Sequence, residues 1–505
     1  MILLNFISSE IDTSRFVAVT AVLAIGYFLA NAIYQLYFSP LSKVPGPWYA
    51  AISPIFFIIV SLKGNAVYTW ELLHVKYGKI LKPTCIFHTK GPYLRVSPTS
   101  VMVADREPAL KVHSPNDVFP KGPWYTNAMA SESILTIRDH QKYKTRRKAF
   151  GSGFSKSNMA LLEPVVRKKA ELCFKKIGKH FDNGDIVDVK PWLYWMAADI
   201  VGELCFGKDF GMLENEAENL LVRDCLNFTL VAGIQAQAPF TKYIIWLLSE
   251  ALADLQHEVQ NCKDGNPRPS LFSHLLKDVD NPNAKYKVNI TELRNESTLF
   301  ILAGTDTTAT VATFLAWDLF RNADIRQKVI VELKEIGWTQ GDNDDGITDE
   351  KLQTLPYLGY LLREALRLYT PAHTGFPRVV PENGRYLGPH FLPAGTECLL
   401  PVYTLHRDPN IFDEPFAFKP ERWLNPSREM ESVIMAFGGA SRVCTGQHLA
   451  MMELRLSVAM MLKYWGNAEL ADSCTDESME IVERFLIHPK GNKLEIQNKK
   501  ITLEN

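Results

Sequence analysis

One run of residues has the types and spacing to do chemistry: Phe437-Gly438-Gly439-Ala440-Ser441-Arg442-Val443-Cys444-Thr445-Gly446. Glycines let a backbone lie close against a flat ligand. The cysteine sits just ahead of a helical stretch, Gln447 to Met461, whose first amides favour a thiolate. The segment can therefore present a sulfur ligand to a planar group; the plainer alternative is a turn around a buried structural cysteine. Other runs carry charge or hydroxyls at helical spacing. Ala303-Gly304-Thr305-Asp306-Thr307-Thr308 sets an acid beside a hydroxyl. Glu364-Ala365-Leu366-Arg367 is an i,i+3 ion pair, common on helices. Phe418-Lys419-Pro420-Glu421-Arg422-Trp423 adds a second arginine, and Tyr143 and Arg147 stand four apart on one helix face.

These residues need a large scaffold, and 505 residues with 47% hydrophobic side chains can bury one. Long helical stretches dominate. Thr291 to Arg321 is nearly free of Gly and Pro, and Tyr357 to Tyr369 is bracketed by Pro356 and Pro371. Between Arg378 and Thr404 the pattern turns to short strands at Arg378–Pro381, Arg385–Leu387 and Glu397–Leu400. The expected fold class is mainly α with a small β-rich region. Charges balance, 55 basic against 56 acidic, which gives no basis for a nucleic-acid role. Eight scattered cysteines form no CxxC pair, so neither a disulfide framework nor a zinc site is expected. Sequons at Asn227, Asn289 and Asn295 read as chance matches, two of them flanking the start of a strong helix. From Phe16 to Ser42 there is no charged residue. A helix over Phe16 to Phe38 would span roughly 35 Å, enough to cross a bilayer. With Glu10, Asp12 and Arg15 ahead of it, this segment reads as a permanent anchor rather than a cleaved signal. The division expected is an anchor, 1–38, and a catalytic domain, 39–505, joined by the stiff Val44-Pro45-Gly46-Pro47.

Taken in order, the cysteine loop, the Glu-x-x-Arg pair, the arginine at 422 and the acid–threonine segment resemble the cytochrome P-450 family over essentially the whole chain. The resemblance implies the P-450 fold and a haem b cofactor (iron protoporphyrin IX), with Cys444 as the axial iron ligand. Tyr143, Arg147, Arg378, Phe437 and Arg442 become cofactor-binding candidates, the arginines suited to haem propionates. Asp306 and Thr307 become the proton-relay pair, and Gly304 leaves room for dioxygen. Glu364, Arg367 and Arg422 form a structural network. Ala440 and Thr445 depart from the family pattern, which expects glycine and an apolar residue; a hydroxyl at 445 could bond near the sulfur and tune the iron.

A monooxygenase reading follows, with electrons from an NADPH-dependent cytochrome reductase, since no flavin or nicotinamide motif is present. Lys142, Lys144, Arg146 and Lys148 offer a basic docking cluster. Pocket regions at 119–125, 228–240, 299–303, 372–376 and 485–487 are mostly apolar, pointing to a lipophilic small-molecule substrate. Pro377-Arg378-Val379-Val380-Pro381 and Tyr403–Arg407 look similar to filamentous-fungal microsomal members. That likeness implies secondary metabolism, of an alkaloid or terpenoid, and an endoplasmic-reticulum membrane location with a single span and a cytosol-facing catalytic domain. The alternatives are hydroxylation of a small aromatic acid, a haem-thiolate isomerase or dehydratase needing no external electrons, or a non-catalytic haem sensor. The resemblance breaks at Lys79 to Gly91. Without these residues Tyr77-Gly78 would run directly into Pro92-Tyr93-Leu94-Arg95. The segment is expected to be either a membrane-touching loop or, by preference, the translation of a short unspliced intron.

Overall fold

The computed structural model describes residues 13–78, 91–114, 119–129, 131–151, 153–238, 241, 275, 288–341, 346–375, 377–439, 442–466 and 468–498. The interruption at 79–90 therefore lies outside the described residues. Its far flank is held to the near one, because the Gly91 amide donates to His74 O at 2.7 Å.

The central helix, Ile290–Arg321, begins with a reciprocal cap. The Asn289 side chain accepts from the Glu292 amide at 2.9 Å, and the Glu292 carboxylate accepts from the Asn289 amide at 3.1 Å. Asn295 also serves the fold, donating to Glu132 O. Apolar residues surround this helix, so it is buried along nearly its whole length. It packs along Val189–Phe206 and Gln447–Tyr464. Gly304 makes the first of these contacts close: a Cβ there would lie 2.6 Å from Val201 Cγ2. A side chain at 304 would therefore clash with the neighbouring helix, while the glycine itself borders the cavity.

The helix Pro356–Leu368 starts on proline and buries Leu358, Leu361, Leu362 and Ala365 on one face. Its first free amides, Tyr357 and Leu358, donate to the Glu332 carboxylate at 2.7 and 2.8 Å. The strand-rich patch forms where expected. Tyr93–Arg95, Ser100–Val103, Glu397–Leu399 and Arg378–Val379 lie side by side in that order, with only the central pair parallel. Arg385–Leu387 pairs with His390–Leu392, and Ile481–Arg484 with Leu486–Pro489. The sheet's edge strand fixes Arg378 and faces Pro120, whose carbonyl accepts from the Val379 amide at 2.8 Å.

At the N-terminus, Phe16–Phe38 is a 23-residue apolar run of mean hydropathy 2.1 with none of its window buried by the rest of the protein. Side chains of that kind cover water poorly, so the segment suits a membrane anchor. Trp48, Ile55, Ile59 and Leu62 extend the exposed apolar surface beside it. The joint is more than a hinge. Buried Arg95 donates to Gln35 O at 2.8 Å and to Gln35 Oε1 at 2.6 Å.

Removing residues 1–33 should release the protein from membranes at little cost. Removing 1–38 should also release it but deprive Arg95 of both Gln35 contacts, lowering stability by about 1 kcal/mol. Carbonate extraction and urea unfolding of the two truncations check this; equal stability would show that Gln35 contributes nothing.

Candidate active site

Gly438 holds φ +75°, which favours glycine, and its amide donates to Met435 O at 2.9 Å. The Arg442 amide donates to Gly439 O at 3.2 Å and the Cys444 amide to Phe437 O at 2.8 Å. These bonds fold the loop back so that Cys444 arrives at the head of the Gln447–Tyr464 helix. Cys444 is exposed to a cavity of about 320 Å³. Burial raises the thiol's pKa, opposed by the Gly446 amide and the charge of Arg147. Arg147 Nη1 donates at 2.6 Å to both Val443 O and Thr445 Oγ1. The unexpected hydroxyl at 445 therefore serves a clamp on the loop. Ala440 and Ser441 lie outside the described residues.

The loop is anchored from behind by a fully buried carboxylate. Glu364 accepts from Arg367 Nη2 at 2.8 Å and Nε at 2.9 Å, Arg422 Nε at 2.9 Å, Trp423 Nε1 at 2.9 Å and the Lys419 amide at 2.9 Å. Arg367 Nη1 in turn donates to His406 O at 2.8 Å and Pro415 O at 2.7 Å. His406 completes the link. Its Nδ1 lies 2.9 Å from Arg367 O, and its Nε2 accepts from the Met435 amide at 3.0 Å, two residues before Phe437. That pattern requires the Nδ1–H tautomer, and burial pushes the ring's pKa down to about 3, so it stays neutral.

One end of the cavity is cationic. Lys121, Arg378 and Arg442 meet there with Tyr125, Tyr143 and His113. Arg378 donates to Tyr125 Oη in a short contact. The Arg442 guanidinium lies 3.5 Å from the Tyr143 ring centroid. Lys121 donates to Ile134 O at 3.0 Å and Leu135 O at 2.5 Å. Burial, then Arg442 and Arg378, hold the Lys121 pKa well below the usual lysine range. Burial and then Arg378 push His113 down to about 3, and its Nε2 has no partner among the described residues. Among the described residues, Lys121, Arg378 and Arg442 form no ion pair. Buried cations crowded without a counter-anion cost stability unless a ligand supplies one. The complement is a flat apolar body with a sulfur-seeking metal at its centre and carboxylates at one edge. An iron porphyrin with its propionates meets that description, so the residues fit haem.

The wall opposite Cys444 is the central helix. Thr307 faces the cavity, and its Oγ1 donates to Ala303 O at 2.5 Å. Asp306 does not join it. It is buried, is not among the cavity-lining residues, and accepts from Tyr194 Oη at 2.7 Å. The expected pair are sequence neighbours that the structure turns apart. The rest of the cavity is mostly apolar, with Thr308, Thr370 and Glu453 also lining it, and each expected pocket region contributes, among them Tyr125, Ala232, Phe300, Ala372 and Phe485. Phe485 tops its hairpin at φ +83° and stacks on Trp124 with centroids 5.9 Å apart. Pro239, Phe240 and Phe376 lie outside the described residues, as does the side chain of Phe228.

The expected basic cluster is smaller than the sequence implied. Arg146 turns inward to Glu296 at 3.1 Å and to Glu292. Lys142 pairs with Glu132 at 2.5 Å, while Lys144 and Lys148 are exposed. Sequence reasoning misses His406, His113, Lys121 and Tyr125 as individual site residues. Of these, His406 falls in the Tyr403–Arg407 run and Lys121 and Tyr125 in the 119–125 pocket region, but no local signal gives their roles.

A family model described as Cytochrome P-450 matches residues 65–496. Curated relatives share its length. Cytochrome P-450 monooxygenase orf2 of Aspergillus niger is 28% identical over 492 residues, covering 93% of this chain and 95% of its own. Cytochrome P-450 monooxygenase aflV of Aspergillus parasiticus is 29% identical, covering 93% of each chain. Cytochrome P-450 monooxygenase BipB of Cochliobolus sativus is 29% identical, covering 87% and 88%.

His406→Leu keeps the bulk of the ring but strands the Met435 amide and the Arg367 carbonyl. Each should cost about 1–3 kcal/mol. Urea unfolding should show this loss together with weaker haem retention; stability within about 0.5 kcal/mol of wild type would remove His406 from the anchor.

Proposed function

The chain belongs to the cytochrome P-450 family of haem b monooxygenases, and on that premise we propose that it oxidises a lipophilic small molecule, with electrons from an NADPH-dependent cytochrome reductase. One observation carries the reading. A single cavity joins Cys444, a cationic end lined by Lys121, Arg378 and Arg442, a largely apolar chamber and Thr307.

Cys444 would ligate the iron, with Arg147 and the Phe437–Cys444 backbone bond holding the sulfur in place. Lys121, Tyr125, Arg378 and Arg442 would hold the propionates, and Phe437 would pack beneath the ring. When bound, the haem supplies activation of dioxygen, one atom entering the substrate and the other leaving as water. Phe300, Val201, Leu299 and Phe485 exclude water from the chamber. Protons must then reach it through a polar group, and Thr307, on the cavity face of the central helix, would hold them at its Oγ1. The lining favours an uncharged, lipophilic substrate. Fungal relatives of full length support a role in fungal secondary metabolism; an alkaloid or terpenoid substrate is the finer reading, which rests on the likeness of Pro377–Pro381 and Tyr403–Arg407 to filamentous-fungal members. The anchor supports an endoplasmic-reticulum location with the body in the cytosol, and exposed Lys144 and Lys148 are the remaining basic residues for reductase docking.

Purified protein with reductase should consume oxygen in an NADPH-dependent way when given its substrate. Thr307→Ala should keep consuming NADPH while product per NADPH falls severalfold and peroxide rises. An unchanged ratio would remove Thr307 from proton handling. No NADPH-dependent oxygen uptake by wild type would favour the electron-independent isomerase or dehydratase.

A further inference from the structure

Asp306 sits at the end of a chain of hydrogen bonds that leads away from the cavity toward solvent. Its Oδ1 accepts from Tyr194 Oη at 2.7 Å. The same phenol oxygen lies 3.0 Å from Thr310 Oγ1 and 3.3 Å from His488 Nδ1. Thr310 also donates to Ile487 O at 3.4 Å, which fixes the hairpin strand that carries His488. Depth falls along the row: Asp306 is 5% exposed, whereas Tyr194 and His488 are half-buried. Lys190 Nζ sits 4.7 Å from the Tyr194 ring centroid and donates at 3.0 Å to Asn492 at the surface.

We propose that Tyr194 and His488 are positioning residues that load Asp306 with protons from solvent. The inference rests on the monooxygenase reading, because reducing one oxygen atom to water consumes protons. His488 in its imidazolium form gives its Nδ1 proton to Tyr194 Oη, becoming neutral imidazole, as Tyr194 gives its own proton to Asp306 Oδ1. His488 then regains a proton from solvent, so one proton has moved inward and no other bond has changed. Protonated Asp306 no longer attracts the phenol as an anion and is free to turn toward Thr307, its neighbour in sequence. A phenol–carboxylate bond alone would serve to pin two helices. The imidazole aimed at the same oxygen adds a group that can take up and release a proton.

The charged and titratable groups facing this row come from three elements. Lys190 and Tyr194 lie on the Val189–Phe206 helix, Asp306 on the central helix, and His488 and Arg484 on the hairpin. Burial lowers the His488 pKa; Asp306 opposes that, while Lys190 and Arg484 add to it. Its folded-state value lies below the ordinary histidine value, so the proton-donating form is lost as pH rises through that lowered value. Delivery should weaken in the same direction.

The test uses the full-length, haem-loaded enzyme with reductase. In wild type, product per NADPH should fall as pH rises through the acid-to-neutral range and should show a solvent deuterium effect. Tyr194→Phe, which keeps the ring packing, and His488→Gln should lower that ratio severalfold and flatten both dependences. Tyr194→Phe retaining the wild-type pH profile would overturn the proposal. A second readout needs no turnover. Diethyl pyrocarbonate labels neutral imidazole, and peptide mass spectrometry follows His488 against pH. In Asp306→Asn the labelling midpoint should move to lower pH, since the carboxylate no longer favours the charged ring; an unmoved midpoint would break the link. Wild type that takes up no oxygen with NADPH would refute the monooxygenase reading instead, and the labelling result would still decide whether Asp306 and His488 communicate.

Discussion

The site depends on one buried carboxylate. Glu364 takes hydrogen bonds from both arginines, from Trp423 and from the Lys419 amide, and so binds a helix to a segment more than fifty positions later. A buried charge cluster of this kind contributes little net stability compared with apolar packing, but breaking it is expensive. Its value here is geometric. Arg367 and His406 carry the constraint on to the Met435 amide, at the entrance of the cysteine loop. The sulfur's position is therefore set by a rigid frame behind it, and the loop itself has only to turn.

At the other end of the cavity the balance runs the opposite way. Lys121, Arg378 and Arg442 come from the Pro120 segment, the edge strand and the cysteine loop respectively, and are held close to one another with phenols and carbonyls as partners. Such a cluster is unfavourable until an anion enters. Binding a dianionic ring there relieves repulsion already present in the fold, which couples cofactor binding to stability. The central helix separates two environments. Its cavity face is mostly apolar apart from Thr307 and Thr308, while Asp306 points away from the cavity into a set of hydrogen-bonded polar groups.

Much of this is legible in the sequence because the signals are local. The cysteine loop, Glu364 with Arg367, and the uninterrupted central helix each show themselves within a few turns. What escapes depends on contacts between distant residues. His406 reads as an ordinary core histidine until Arg367 and Met435 are seen on either side of its ring. Lys121 and His113 lie in loops whose convergence on Arg378 no periodicity reveals. Arg146 reads as one more cation on a basic helix, and only the fold shows that Glu292 and Glu296 lie beneath it. Asp306 and Thr307 pair as neighbours in sequence, although adjacent positions on a helix point about 100° apart. Gly304 reads as open space beside the helix, and the fold adds a second reason for glycine, since Val201 stands where a Cβ would be.

The central claim is that Cys444 supplies the axial thiolate. Reduced protein exposed to carbon monoxide should show the red-shifted Soret band of a thiolate-ligated haem, and Cys444→Ala should lose that band. Retention of the band by Cys444→Ala would contradict the account.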